Sequence, residues 1–331
     1  MDTMFIVMLI VIILALAFDF INGFHDTANA IATSVSTRAL KPRTAILMAA
    51  MMNFVGALVF TGVAKTIGGK VANPAELSNG LEILIATLLA AIIWNLVTWW
   101  FGIPSSSSHA LIGALAGAVY VGAGHDKVNW SGFSTIIEGL ILSPLIAFAL
   151  GFVVMTILKW IFAKRSPHTV NQGFRTMQII TAALQSFTHG TNDAQKAMGI
   201  ITFALVTAKY QSTMDVPLWV KVAAATAMAL GTSIGGWKII KTMGTKIFKI
   251  EPINGFAADM SAATVIFGAT LTNLPASTTH AITSAILGVG SAKRFSAVKW
   301  SVAGTIVISW VITIPISAVL AGLIVKLIVW H

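Results

Sequence analysis

Ten apolar stretches, most of them near the length that crosses a bilayer, fill this chain and leave only short connections between them. They cover residues 4–35, 44–64, 81–101, 104–124, 133–162, 176–206, 218–236, 255–273, 275–290 and 301–329. A helix needs roughly 20 apolar residues to span the hydrocarbon core of a membrane. With 56% hydrophobic and 10% charged residues, and a mean hydropathy of +0.87, no water-soluble domain of 331 residues could hide so much apolar side chain. The chain therefore reads as an all-α polytopic membrane protein with the lipid bilayer as its solvent. Its first apolar run, Met4–Phe18, has neither a basic leader nor a small-residue cleavage site and reads as a mature crossing. Cysteine is absent, which excludes disulfides and thiolate metal sites.

The stretches repeat. Gly23–Ala32 (G-F-H-D-T-A-N-A-I-A) aligns with Gly190–Gly199 (G-T-N-D-A-Q-K-A-M-G), which places Asp26 over Asp193 at an offset of 167. Pro104 falls over Pro275 at an offset of 171, and Phe133–Phe162 over Ser301–Val329. The reading is a duplication: a first repeat over 1–162, a cytoplasmic linker over 163–175 and a second repeat over 176–331. Each copy holds about five crossings, and an odd number inverts the second copy in the membrane. Loop charges agree. Loops 36–43, 163–175, 237–254 and 291–300 are rich in Lys and Arg, whereas 65–80, 125–132 and 207–217 are poorer. Placing the rich loops in the cytoplasm satisfies all ten crossings and leaves both termini outside a cell (inner) membrane. The net charge of +10 then reflects topology, and nucleic acid is not expected as a partner.

Two segments carry an unusual chemistry. Pro104–His109 (P-S-S-S-S-H) and Pro275–His280 (P-A-S-T-T-H) each precede a small-residue apolar run. Proline with serine or threonine marks a helix N-terminus, where free backbone N–H groups and the helix dipole favour an anion. Ser105, Ser106 and Ser107, with Ser277, Thr278 and Thr279, are the candidate anion donors; Thr27, Thr191 and Asn192 are further ones. His109 and His280 either support the anion or pack as neutral first-turn residues.

Ionisable groups at membrane depth are costly and mark function. Asp26 has Asn22, Thr27 and Asn29 nearby in sequence; Asp193 has His189, Thr191, Asn192 and Gln195. Carboxylate, amide and hydroxyl oxygens beside an unwound backbone suit a hard cation. The candidate cation ligands are Asp26, Asp193, Asn22, Asn29, Asn192 and Gln195, with His189 and His25 in support. Stretches 4–35 and 176–206 are accordingly expected to break at these polar clusters. An anion beside two carboxylates is repelled unless cations lie between them, so the two ions should bind interdependently. Hydrogen phosphate, which can donate its proton to a carboxylate, is favoured over sulfate. The expected fold is thus two inverted repeats with broken helices and Ser/Thr-capped half-helices meeting near the membrane midplane.

These segments resemble a known family. G-T-N-D-A, preceded by Ser186–His189 (S-F-T-H), is similar to the signature of the inorganic phosphate transporter (PiT) family. G-F-H-D-T-A-N-A resembles its first-half counterpart, and the family has similar proline, Ser/Thr and histidine segments. The likeness extends over essentially the whole chain. It implies cation-coupled uptake of inorganic phosphate and importance for Asp26, Asp193 and His189. Departures stand at His25, where asparagine is usual, and at Gln195–Lys196, where alanine–asparagine is common. The long hydrophilic central loop of animal members is missing, as in a short microbial form.

The leading expectation is sodium–phosphate symport by alternating access, with sodium at Asp26 and Asp193, no cofactor and a homodimeric assembly. Proton-coupled phosphate or metal–phosphate symport, or a sulfate or other oxyanion permease, are the near alternatives. A Ser–His–Asp intramembrane hydrolase lacks a nucleophile turn, and a passive anion channel would not need paired aspartates. The roles of Lys196, Glu138 and Asp259 stay open.

Overall fold

The structure, a computed structural model, describes residues 3–329. The outermost residues of the two expected repeats, 1–2 and 330–331, lie outside the described residues, and with them both chain ends. Among the described residues thirteen α-helices are formed: α1 (Thr3–Ser36), α2 (Pro42–Val59), α3 (Gly62–Lys70), α4 (Gly80–Phe101), α5 (Ser107–Gly122), α6 (Trp130–Ile161), α7 (Pro167–Asp193), α8 (Gln195–Thr207), α9 (Leu218–Ile234), α10 (Trp237–Lys241), α11 (Pro252–Leu271), α12 (Thr278–Lys293) and α13 (Trp300–Val329). Among the described residues there is no strand.

Elements from the first and second parts of the chain pack against one another in pairs. Helix α1 lies against α9 and α7 against α2; α5 lies against α13 and α12 against α6. Small residues make these approaches possible, since a side chain on either helix would hold the backbones apart. A methyl group on Gly23 would land on the carbonyl oxygen of Met228, and one on Gly190 on that of Asn53. Gly117 meets the carbonyl of Ala318 in the same way, and Gly288 that of Phe148.

Several expectations change. Helix α1 runs unbroken through Asn22–Asn29. Every residue from Asn22 to Asn29 except Phe24 is buried against other helices, which supply the polar partners, so the backbone need not unwind. The second cluster interrupts its helix only at Ala194, between α7 and α8, and the backbone there stays in the helical region and does not unwind. Unexpected breaks lie elsewhere: Phe60 is extended between α2 and α3, and Gly235–Gly236 bends α9 by 62° from the α10 segment. Gly235, at φ +79°, takes a conformation that favours glycine. The stretch 104–124 was expected to cross fully, but α5 has 16 residues, about 24 Å at 1.5 Å per residue. Among the described residues, five helices are long and apolar enough to span a membrane, or six with the bent pair, and not ten. Helices α7 and α11 carry too many polar residues to pass on composition; those of α7 from Gln178 onward, and Asn254, Asp259, Ser261 and Thr270 of α11, are buried in the bundle, whereas His168–Thr176 of α7 hold exposed polar residues. Helix α7 begins at Pro167 behind the Ser166 cap, so most of 163–175 is helical.

The apolar core is divided. One cluster gathers Val11–Phe18 of α1 with α4, α5, α8 and α9; the other gathers Ala28–Ala32 of α1 with α11, α12 and the segment Ile239–Ile250. Between them α1 presents the polar stretch Asp19–Thr27. Helices α5 and α12 belong to opposite clusters, and their N-termini meet at this polar seam. There, the Ser108 hydroxyl donates to the Ala276 carbonyl at 2.9 Å.

Candidate functional site

The seam is built from the two helix N-termini and the two aspartates. Ser106 caps α5 by accepting from the His109 amide at 3.1 Å, and Ser277 caps α12 by accepting from the His280 amide at 3.2 Å. These two hydroxyls are engaged in capping. The next residues point at the carboxylates. Ser107 donates to Asp26 Oδ2 at 3.1 Å, Thr279 to Asp26 Oδ1 at 3.4 Å, and Thr278 to Asp193 Oδ2 at 3.2 Å. Asn29 Nδ2 donates to the hydroxyls of Thr278 and Thr279 at 3.2 and 2.9 Å. Asn22 Nδ2 reaches Asp193 Oδ2 at 3.4 Å.

Basic groups flank both carboxylates. His25 Nδ1 lies 2.6 Å from Asp26 Oδ1, and its Nε2 lies 3.1 Å from the Thr98 hydroxyl, to which Ser105 donates at 2.7 Å. His189 Nε2 lies 3.4 Å from Asp193 Oδ2, with its Nδ1 3.1 Å from Asn53 Oδ1. Lys196, 1% exposed, is one of the three groups the sequence left unassigned. Its Nζ sits 2.9 Å from Asp193 Oδ2 and donates to the Ser107 hydroxyl at 2.8 Å. Through Ser107 it is linked to Asp26 as well. One ligand atom from each of Asp26, His189 and Asp193 lies within 4.8 Å of the others.

Oxygen atoms suited to a cation line this seam. Asp193 Oδ1, Asn22 Oδ1, Asn29 Oδ1 and Gln185 Oε1 are buried without a hydrogen-bond partner. Each is a hard oxygen acceptor of the kind that binds sodium or a similar ion.

Other candidates are occupied by the fold. Thr27 donates to the Gly23 carbonyl at 2.7 Å and to that of Thr232 at 3.3 Å, and Thr191 donates to the Thr188 carbonyl at 2.7 Å. Gln195 accepts from the Ala64 amide at 3.0 Å. Asn192 accepts from the Ala276 amide at 3.1 Å and donates to Thr270 at 3.1 Å, which braces the approach to α12. His109 and His280 face each other, ring centroids 4.3 Å apart, and His280 stacks on Trp310 at 3.9 Å. Asp26 pairs with His25 and not with His109, so residues 105–108, His109 and Asp26 do not line up as a Ser–His–Asp relay; Ser105 Oγ instead lies 3.5 Å from His25 Nε2. Glu138 is exposed on α6. Asp259 lies in a separate cluster, accepting from Thr33 at 2.7 and 2.9 Å.

Asp19 escaped the sequence reading. It is fully buried, neither oxygen has a hydrogen-bond partner, and the charges of Lys196 and Asp193 act on it. The spacing 19, 22, 26 puts it on one face of α1 with Asn22 and Asp26. Expecting a break at Asn22 hid this relation.

The comparisons with known proteins agree with the geometry. A profile described as the phosphate transporter family matches residues 22–321. A Bacillus subtilis (strain 168) protein described as a probable low-affinity inorganic phosphate transporter is 61% identical over 324 residues, covering 98% of this chain and 97% of the relative. A Rhizobium meliloti (strain 1021) protein of the same description is 47% identical over 314 residues, covering 94% and 93%. A solved structure described as the sodium-dependent phosphate transporter has a TM-score of 0.86 at 26% identity, covering 98% of this chain and 99% of that one.

Proposed function

Because the chain belongs to the phosphate transporter family, a family of transporters and not of enzymes, we propose that it is a secondary active symporter that takes up inorganic phosphate together with sodium. It is an integral membrane protein. In the proposed arrangement residues 1–162 and 176–331 form inverted halves, joined through 163–175, which expose the site alternately to the two sides. The protein would sit in the cell (inner) membrane with both termini outside, as a homodimer. Sodium is favoured by the oxygen-rich seam, and a sodium-dependent neighbour of similar fold supports the choice.

One observation carries the reading: the hydroxyls that an anion would use at the starts of α5 and α12 are held by Asp26 and Asp193. Phosphate meeting these carboxylates in a low-dielectric seam would be repelled. A cation coordinated between the carboxylates neutralises them and draws their oxygens away from Ser107, Thr278 and Thr279. The freed hydroxyls, with the backbone N–H groups at the helix starts, then face phosphate. Cation binding thus makes the phosphate site, which is the thermodynamic content of coupling.

The test is uptake of labelled phosphate into proteoliposomes under separate sodium, potassium and pH gradients. Uptake driven by sodium and abolished by Asp26→Asn and by Asp193→Asn is expected. Uptake driven by the pH gradient alone would replace sodium by protons. Flux indifferent to all three gradients and to both substitutions would contradict symport.

A further inference from the structure

Lys196 and Asn29 occupy equivalent places in the two copies, at the same offset of 167 that relates Asp26 to Asp193. Their contacts are equivalent too. Asn29 meets the hydroxyl of Thr278, the first residue of α12, and Lys196 meets that of Ser107, the first residue of α5. Lys196 touches Asp193 directly, and Asn29 reaches the carboxylates through the Thr278 and Thr279 hydroxyls, which donate to Asp193 and Asp26. In one copy the group is a neutral amide with an unpartnered Oδ1, able to ligate a cation. In the other it is an ammonium with no acceptor to offer a cation.

The ammonium lies where a cation is needed. It is buried, 2.9 Å from Asp193, and hydrogen-bonded to the serine that in turn holds Asp26. A lysine side chain buried this deeply is accommodated by opposite charge, and Asp193 supplies it directly. Its charge also acts on Asp19 and Asp26. A mobile ion placed at Lys196 Nζ would gain the same neighbours.

We infer that Lys196 is a tethered cation: at the Asp193 half of the site its ammonium takes the place that a mobile coupling cation takes at the Asp26 half. The protein then needs one fewer free cation per phosphate than a site with asparagine in both copies. This inference rests on the proposed cation-coupled phosphate transport. It follows that Lys196→Asn makes a second mobile-cation position and Lys196→Arg keeps the position filled.

The experiment is equilibrium binding of labelled phosphate to purified protein at a series of sodium concentrations, for wild type, Lys196→Asn and Lys196→Arg. Melting temperature is followed in the same series, because an ion that binds the folded state raises it. Lys196→Asn should bind phosphate only at higher sodium, with the sodium order raised by about one, and its melting temperature should climb more steeply with sodium than that of wild type. Lys196→Arg should keep the wild-type order. An unchanged sodium order in Lys196→Asn would overturn the inference. So would a folded Lys196→Asn protein that binds no phosphate at any sodium concentration, which would make the lysine a phosphate ligand instead. A Lys196→Asn protein whose melting temperature falls and does not respond to sodium also overturns it. Wild-type protein that binds no phosphate with sodium would instead overturn the transport reading on which this one stands.

Discussion

The two halves of this protein are alike in how they pack and unlike in what they present to the site. Gly117 and Gly288, 171 residues apart, seat the same kind of crossing, and Asp26 and Asp193 accept from equivalent hydroxyls, Ser107 and Thr278. Around those carboxylates the correspondence fails. Asp26 pairs with His25, whereas Asn192, its counterpart beside Asp193, braces a loop; Asn29 is matched by Lys196. Packing constrains both proposed copies alike, because at Gly117 and at Gly288 two backbones must approach. The site has no such constraint, so its charges can diverge while the scaffold remains repeated.

The largest effect is expected at the shared carboxylates. Each substitution removes a carboxylate proposed to hold the coupling cation, so Asp193→Asn and Asp26→Asn should each lower phosphate uptake at least about 100-fold, or about 2.7 kcal/mol. If only one did, the carboxylates would not form a joint site. Next comes the reverse exchange. Asn29→Lys supplies a second ammonium, and phosphate binding to that variant should lose most of its sodium dependence; a retained dependence would show that Asn29 is no counterpart of Lys196. The hydroxyls come third: Ser107→Ala and Thr278→Ala each remove a hydrogen bond to a charged group, worth about 1.5–3 kcal/mol. Each should weaken phosphate binding about tenfold or more, with Ser107→Ala also altering the sodium dependence because it releases Lys196. For the scaffold, Gly117→Leu and Gly288→Leu should lower thermal stability to a similar degree, by about 1–3 kcal/mol or more as overpacking does. Unequal losses would count against reciprocal packing.

The smallest effect separates a buried ion pair from an exposed one. Lys65 and Asp215 approach to 2.5 Å on the surface, and the lysine holds the Asp215 carboxyl below the usual carboxylate range. A depressed carboxyl stabilises the fold above its ordinary titration range and loses that contribution as pH falls through it. Solvent screens so exposed a pair. Asp215→Asn should therefore leave uptake and melting temperature unchanged at neutral pH, in contrast to Asp193→Asn.

Much of this was legible in the sequence, for physical reasons that particular residues show. Hydropathy marks helices that face lipid, so α6 and α13 stood out, with bounds within three residues of those expected. The motif repeat located Asp26, Asp193, Ser107 and Thr278, because a capped helix start and an intramembrane carboxylate are local signals. What could not be read was which hydroxyls face the seam. Ser106 and Ser277 look like their neighbours in sequence, yet they turn back to cap their own helices. Thr27 and Thr191 bond to backbone carbonyls one turn back, an option open to any helical threonine. Asp19 was hidden by the assumption that polar residues must unwind α1, when partners on other helices allow the helix to continue. The i,i+3 spacing of Asp193 and Lys196 left their pairing legible, but the bond from Lys196 to Ser107 was not, since nothing in the chain signals a partner 89 residues away.

The most direct test of coupling through this seam runs transport in reverse roles. Proteoliposomes without a sodium gradient are given an inward phosphate gradient, and accumulation of labelled sodium is followed. Linkage is reciprocal, so a site at which sodium favours phosphate must let phosphate favour sodium. Wild-type protein should accumulate sodium above its external concentration, and Asp26→Asn and Asp193→Asn should not. Phosphate entry with no movement of sodium would contradict the account.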